Sequence, residues 1–220
     1  DKCSTGGYYC TGSGVIFDAN GYILTNHHVV AGDDVVEVKI NDGRIVDGTV
    51  LGWNAIYDLA VVKMSTANVT VGTLGDSSLS VLGEKSVAVG YPLTDFPGSV
   101  TVLEGIVSNA NAIFNSLSYI QTSANIQHGS SGGPLVNQRG SVIGINSTCP
   151  AIDIVSNLCP AGYGYALPIN TAKSILNDLK SGVRVGGTST PAQTPTPTPS
   201  PIPTPTPTII VSKNVILANM

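Results

Sequence analysis

A chain of 220 residues, 42% of them hydrophobic, has enough material for one large domain or two small ones, each with a buried core. Only 11% of the residues are charged, the formal net charge is -4, and no basic stripe runs along the sequence, which removes the electrostatic case for nucleic acid. No apolar run is long enough to cross a bilayer, and the chain opens at Asp1 without a charged-then-apolar leader, so a secretion signal is expected to have been removed or left out.

The four cysteines fall into two close pairs, Cys3 with Cys10 and Cys149 with Cys159. Four cysteines allow three connectivities, and the short spacings favour the two local bridges, which implies an oxidising, extracytoplasmic compartment: secreted, periplasmic or cell-surface. A zinc site is the rival reading, but no CxxC or histidine pair stands at finger spacing, so no metal is expected. From Ser13 onward short β-branched and apolar runs are cut by turn residues. Runs 14–17 and 22–25 flank Asn20-Gly21, and 35–40 and 44–51 flank Asp42-Gly43, so both read as hairpins; 59–64 completes this group. After the looser stretch 65–80 come 85–90, 101–108, 118–122, 134–137, 141–147 and 163–167. Two sets of about six strands predict an all-β fold of two packed barrels, about 11–68 and 81–168.

One helix is expected, over 170–182, with Asn170 as its cap, Ala172, Ile175, Leu176 and Leu179 as its apolar stripe and Gly182 as its stop; it should dock on the second barrel. The domain then spans 11–182, preceded by a disulfide-closed segment 1–10. Between Pro191 and Pro207 eight prolines alternate mostly with Thr, so 186–208 cannot form a core and reads as an extended spacer of roughly 60–70 Å at about 3.1 Å per residue. Residues 209–220 are apolar but carry Lys213 and Asn214, and are too few to assign.

A serine hydroxyl is a poor nucleophile until a positioned base takes its proton and an acid holds that base in the right tautomer. Gly129-Ser130-Ser131-Gly132-Gly133-Pro134-Leu135 sets such hydroxyls on a glycine-framed turn ahead of a strand. Of three histidines, His27 and His28 follow the strand 22–25, and His128 stands near the serines. Asp58 immediately precedes Leu59-Ala60-Val61-Val62, at the mouth of a buried strand, whereas Asp33, Asp34, Asp42 and Asp47 read as solvated loop or strand-edge carboxylates.

Ser13-Gly14-Val15-Ile16-Phe17, Gly21-Tyr22-Ile23-Leu24-Thr25-Asn26-His27-His28-Val29-Val30, Asp58-Leu59-Ala60-Val61, Ile120-Gln121-Thr122, the glycine-framed turn and Val142-Ile143-Gly144-Ile145-Asn146 together resemble the protease domain of the HtrA/DegP serine endopeptidases over about residues 11–180. The resemblance implies a chymotrypsin-like pair of six-stranded barrels with the active site between them. It implies His28 as general base, Asp58 as the acid that orients it, Ser131 as nucleophile, and the N–H groups of Gly129 and Ser131 as the oxyanion hole. His28 is preferred to His27 because that family places one variable residue between Asn and the histidine, and Ser131 to Ser130 because it directly precedes Gly132-Gly133. His128 stands where the family usually has proline, and reads as a loop histidine or a substrate contact.

By the same resemblance the specificity pocket is walled by Ile143, Gly144, Ile145 and Asn146 and floored near Asn125 and Ile126, which suits a small or medium aliphatic side chain. Ile143 and Ile145 cannot both face it, and plain barrel core is their other reading. Strand 144–146 is expected to offer an edge to extended peptide. The implied protein is a secreted endopeptidase of unfolded or extended polypeptides that needs no cofactor, either a monomer or a trimer, with membrane or cell-surface attachment only through regions beyond the linker. Two rivals are a glutamyl-specific endopeptidase of the same fold and a non-catalytic peptide-binding module on a Pro/Thr stalk.

Overall fold

A computed structural model describes residues 11–67, 69–91, 100–127, 129–147, 163–186 and 215–219, the last as backbone. The four cysteines, His128 and the Pro/Thr-rich run lie outside the described residues. The two expected hairpins form as β1 (Thr11–Asp18) with β2 (Tyr22–Thr25), and β3 (Val35–Ile40) with β4 (Ile45–Asn54). β5 (Leu59–Met64) pairs with both β2 and β4. In β3 the burial alternates as a half-buried strand requires: Val36, Val38 and Ile40 are inside, while Glu37 and Lys39 are not. β5 breaks that alternation because it has a core on each face. Ala60, Val62 and Met64 join Ile16 and Ile23 inside the first barrel, and Leu59 and Val61 turn the other way to join Val15 and Leu24.

The second barrel is made by β6 (Lys85–Gly90), β7 (Thr101–Phe114), β8 (Leu117–Thr122), β9 (Pro134–Asn137), β10 (Val142–Ser147) and β11 (Gly164–Pro168). It closes in the order β10-β11-β8-β7-β6-β9 around Val107, Ile120, Leu135 and Ile143. The expected all-β double barrel is therefore present. Val142, Ile145 and Leu167 leave the second barrel's interior and meet Val15, Leu24 and Leu59 of the first in a shared layer. Each such side chain contributes roughly 1.5–3 kcal/mol on burial, so this layer is what fixes the two barrels against each other.

The first barrel takes its sixth strand from an unforeseen place. β13 (Val215–Asn219) lies between β1 and β3, parallel to both, with Ile216 in register with Gly12 and Val38, and Ala218 with Gly14 and Ile40. Since β4 also pairs with β5, the ring β4-β3-β13-β1-β2-β5 is continuous. Residues 215–219, within the segment 209–220 left unassigned from sequence, thus supply a barrel strand.

The helix α2 (Ile169–Lys180) begins one residue earlier than expected, behind Pro168, and no side chain caps it. Asn170 lies inside its first turn, where its amide donates to Asp76 at 2.7 Å and its carbonyl accepts from the Ser77 N–H at 3.3 Å. Asn170 therefore fastens the helix to the loop before the 3₁₀ turn Ser77–Leu79. The helix docks on both barrels rather than on the second alone: Ile169, Ala172 and Leu179 enter the shared layer. Gly52 of β4 has no side chain for a reason, since a Cβ there would lie 2.6 Å from the carbonyls of Leu179 and Val183. At the helix C-terminus Lys180 binds Asp18 at 3.0 Å and lies 4.1 Å over the Tyr22 ring. Beyond it β12 (Arg184–Val185) runs parallel to the end of β4. There Arg184 covers the Trp53 ring at 4.2 Å, and the Trp53 indole donates to the Gly186 carbonyl at 3.0 Å.

Deleting residues 209–220 should open the first barrel between β1 and β3 and lower the melting temperature by about 5 °C or more. Circular dichroism melts of the full chain and the truncated one decide this, and unchanged melting would mean that the barrel closes without β13. The Asp76 carboxyl is held down to about 2 by its hydrogen bonds from the Ser78 hydroxyl and then from Asn170. A folded-state value below the ordinary 3.8 means that this contribution is complete above the ordinary value and disappears as the pH falls toward 2. Melting temperatures measured from pH 5 down to pH 2 should therefore drop less steeply in Asp76→Asn than in the parent; parallel curves would remove Asp76 from the acid response.

Candidate active site

The geometry starts at Asp58, which follows a turn tightened by Asn54, whose side-chain carbonyl accepts from the N–H groups of Ile56 and Tyr57. Asp58 has φ 52, a left-handed backbone that costs an ordinary L-residue about 1–2 kcal/mol. In that conformation its main chain and side chain face the same segment. The Asp58 carbonyl accepts from the His27 N–H at 3.1 Å and from the Asn26 amide at 2.8 Å. Its carboxylate accepts from the His28 N–H at 2.9 Å and pairs with His28 Nδ1 at 2.6 Å. With Nδ1–H directed at Asp58, the tautomer keeps a lone pair on Nε2. Both side chains are partly exposed, at 37% and 28%, so the pair orients the imidazole more than it stabilises the fold.

His27 and His28 occupy the short helix α1 (His27–Val30), and their rings have different partners. His27 stacks on Trp53 with centroids 5.6 Å apart. Burial holds its imidazole below the ordinary histidine value, with the Asp58 charge opposing and the His28 charge adding to that effect. It is thus a packing residue on the first barrel.

The Ser131 turn is clamped on several sides. Its Ser130 carbonyl accepts from the Gly133 N–H at 3.0 Å, Gly132 N–H donates to the Asn146 carbonyl at 2.9 Å, and Asn146 N–H returns a bond to Gly133 at 2.8 Å. Gly129 and Gly132 have φ 91 and φ 85, which only glycine adopts without strain. A methyl group at Gly132 would overlap the Ser13 carbonyl and the Thr25 hydroxyl, and it would also press on the Asn26 N–H. Thr25 and Asn26 lead directly into His27 and His28, so the turn abuts the element that carries the imidazole. A hydrogen bond crosses between barrels at the same point, from the Ser13 N–H to the Ser131 carbonyl at 2.8 Å. Ser130 packs its side chain against Gly90, at the end of β6, while Ser131 is 5% exposed.

The other expected site residues have mixed placements. Asn125 is exposed beside buried Ile126, whereas Ile143 is in the second barrel's core and Ile145 in the shared layer. Asn146 is buried too, its amide donating to the Pro134 carbonyl at 3.1 Å and reaching that of Val89 at 3.3 Å. Gly144 and Ile145 are paired on both sides, with β9 and β11, so the strand has no free edge there. Reading from sequence missed two side chains near this centre. Ser13 is one, marked only by the glycines on either side. Tyr119 is the other: it packs against the shared layer, and burial first, then the Asp58 charge, push its phenol up.

The family described as trypsin-like peptidase domain matches residues 12–145. The serine protease Do-like HtrA of Bacillus subtilis is 40% identical over 184 residues, covering 78% of this chain and 39% of that protein. The periplasmic serine endoprotease DegP of Salmonella typhimurium is 38% identical over 178 residues, covering 78% and 36%. Among solved structures, that of the HtrA-type protease AlgW with a decapeptide superimposes with a TM-score of 0.70 at 36% identity, covering 78% of this chain and 52% of the other. The chain spans less than half the length of those two curated relatives.

Because Gly132 is wedged between Ser13 and Thr25, Gly132→Ala should destabilise the protein by about 2 kcal/mol or more. Urea unfolding followed by fluorescence measures this, and an alanine tolerated without loss would mean that the turn is not clamped there.

Proposed function

Since the chain belongs to the HtrA/DegP group of trypsin-like serine peptidases, we propose that it is a serine endopeptidase working through His28, Asp58 and Ser131. The observation that carries this reading is the joint arrangement of two halves. Asp58 grips both the backbone and Nδ1 of His28, and the Ser131 turn is pressed against the residues that lead into that histidine.

In the proposed reaction His28 Nε2 takes the proton of Ser131 Oγ as the oxygen attacks the scissile carbonyl carbon. The N–H groups of Gly129 and Ser131 donate to the oxygen that becomes negative. His28 then delivers its proton to the leaving amine, the C–N bond breaks, and the acyl group remains on Ser131. Water, deprotonated by His28, releases the acyl group and restores the serine. Asp58 keeps the imidazole in the required tautomer and stabilises its charged form. Each oxyanion donor is worth about 100- to 1,000-fold in rate, which is the catalytic role of the glycine frame. None of these steps calls on a metal or a cofactor.

Polypeptides are the proposed substrates, in keeping with the decapeptide held by the AlgW relative. The proposed pocket lies between Asn125 and the backbone of Gly144 and Asn146. Ile143 and Ile145 pack in cores, so they shape it from behind. Extended peptide would pair at Ser147, which is bonded to β11 on one side, because the preceding residues of β10 are already bonded on both sides. An extracytoplasmic location is proposed from the likeness to the periplasmic Salmonella relative and from the expected disulfides.

Ser131→Ala should lower turnover of a reduced, alkylated protein substrate by about 10⁴-fold or more, with Ser130→Ala mild. A fluorophosphonate should label the parent at Ser131 and leave the alanine form unlabelled. Equal losses in both variants would reject the assignment, and a parent that is neither active nor labelled would return the fold to a peptide-binding role.

A further inference from the structure

Ser13 belongs to the first barrel, yet most of its polar atoms serve the second. The residue is fully buried, and its hydroxyl donates to the Gly129 carbonyl at 2.7 Å while accepting from the Tyr91 N–H at 3.0 Å. Its N–H donates to the Ser131 carbonyl at 2.8 Å, and its own carbonyl accepts from the Thr25 hydroxyl at 2.7 Å. One residue therefore holds the two carbonyls on either side of Ser130. The carbonyl between them, that of Ser130, is held by the Gly133 N–H at 3.0 Å.

We infer that Ser13 is a positioning residue for the oxyanion hole, an assignment that rests on the proposed endopeptidase reading. Three successive peptide planes, beginning at residues 129, 130 and 131, are fixed by these bonds. Two of the three depend on Ser13. The Gly129 N–H lies in the peptide plane just before these three; with the Gly129 carbonyl held, it can swing away from substrate only about the two single bonds that flank its own plane, and glycine at φ 91 offers little steric resistance to that. Removing the Ser13 hydroxyl frees the adjacent rotation as well, and the donor is no longer preorganised. It also leaves the Gly129 carbonyl and the Tyr91 N–H buried without this partner. Because Ser13 sits on the barrel that carries His28, the same contacts fix the distance between base and nucleophile. A small misplacement of such groups costs rate rather than substrate binding.

The test compares the full chain with Ser13→Ala, and with Ser86→Ala as a control that removes another fully buried hydroxyl, one bonded to Thr122 at 2.7 Å inside the second barrel. Four quantities are measured: kcat and KM on an extended peptide substrate, affinity for a peptide boronate that forms the tetrahedral adduct, and affinity for the peptide product. Ser13→Ala should lower kcat about 10- to 100-fold and weaken the boronate in parallel, with KM and product affinity within about threefold of the parent. Ser86→Ala should lower the melting temperature and leave the boronate-to-product affinity ratio unchanged. Ser13→Cys, similar in size but a weak donor, should show the same split as alanine and decides the matter if the alanine form does not fold. A Ser13 variant that melts earlier yet keeps kcat and boronate affinity would overturn the inference while leaving the endopeptidase reading intact. A parent chain that neither cleaves peptide nor binds the boronate would instead overturn the reading beneath it.

Discussion

Asp58 holds its neighbours only because its backbone sits where an L-residue pays a conformational penalty, and much of the surrounding structure exists to enforce that. Asn54 closes the turn ahead of it, and β5 leaves directly behind it with Leu59 and Ala60 fully buried on opposite faces. An aspartate released from this setting would relax, and its carbonyl and carboxylate would no longer face Asn26, His27 and His28 together. The strain is thus paired with four hydrogen bonds to one segment, which fix the ring of His28 and the path of the chain into α1.

The layer between the barrels makes this local order useful. β1, β2 and β5 each send alternate residues into two cores, and Val142, Ile145 and Leu167 complete the second of these from the other barrel. α2 seals the layer from one end, reaching the first barrel through Lys180 and the loop ahead of the 3₁₀ turn through Asn170. The proposed catalytic groups come from different barrels, so their spacing is only as firm as this packing. Ser13 adds a polar tie at the centre of the same boundary, where burial strengthens a satisfied hydrogen bond and penalises a broken one.

Local chemistry made much of this legible in the sequence. Asn20-Gly21 and Asp42-Gly43 announce tight turns because few other pairs accept their backbone angles, and the alternation of β3 shows which face is buried. The positions of His28, Asp58 and Ser131 could be named from motif resemblance, while the left-handed backbone at Asp58 could not, since nothing in Tyr57-Asp58-Leu59 requires it. The features that escaped are long-range. Asn170 looks like a helix cap until the chain is seen entering through Pro168, which lets the side chain serve Asp76 instead. Ile143 and Ile145 sit in a motif that suggests pocket walls, and only the packing of two barrels shows both in cores. Ser13 is one small polar residue among glycines, and its partners at 91 and 129 are far along the chain.

β13 gives the fold an unusual order of events. Its neighbours β1 and β3 lie near the start of the chain, and the strand that separates them lies near its end, parallel to both. The second barrel has all its strands before that point and can form while the chain is still being made. The first barrel cannot close until residues 215–219 have left the ribosome and returned across the whole Pro/Thr-rich run, a closure whose entropic cost grows only slowly with the length of the loop. Late, non-local strand pairing of this kind is slow, so the half that carries His28 and Asp58 matures after the half that carries Ser131. A chain still in synthesis would hold its Ser131 turn in a formed barrel before the His28 imidazole has a finished one to sit on.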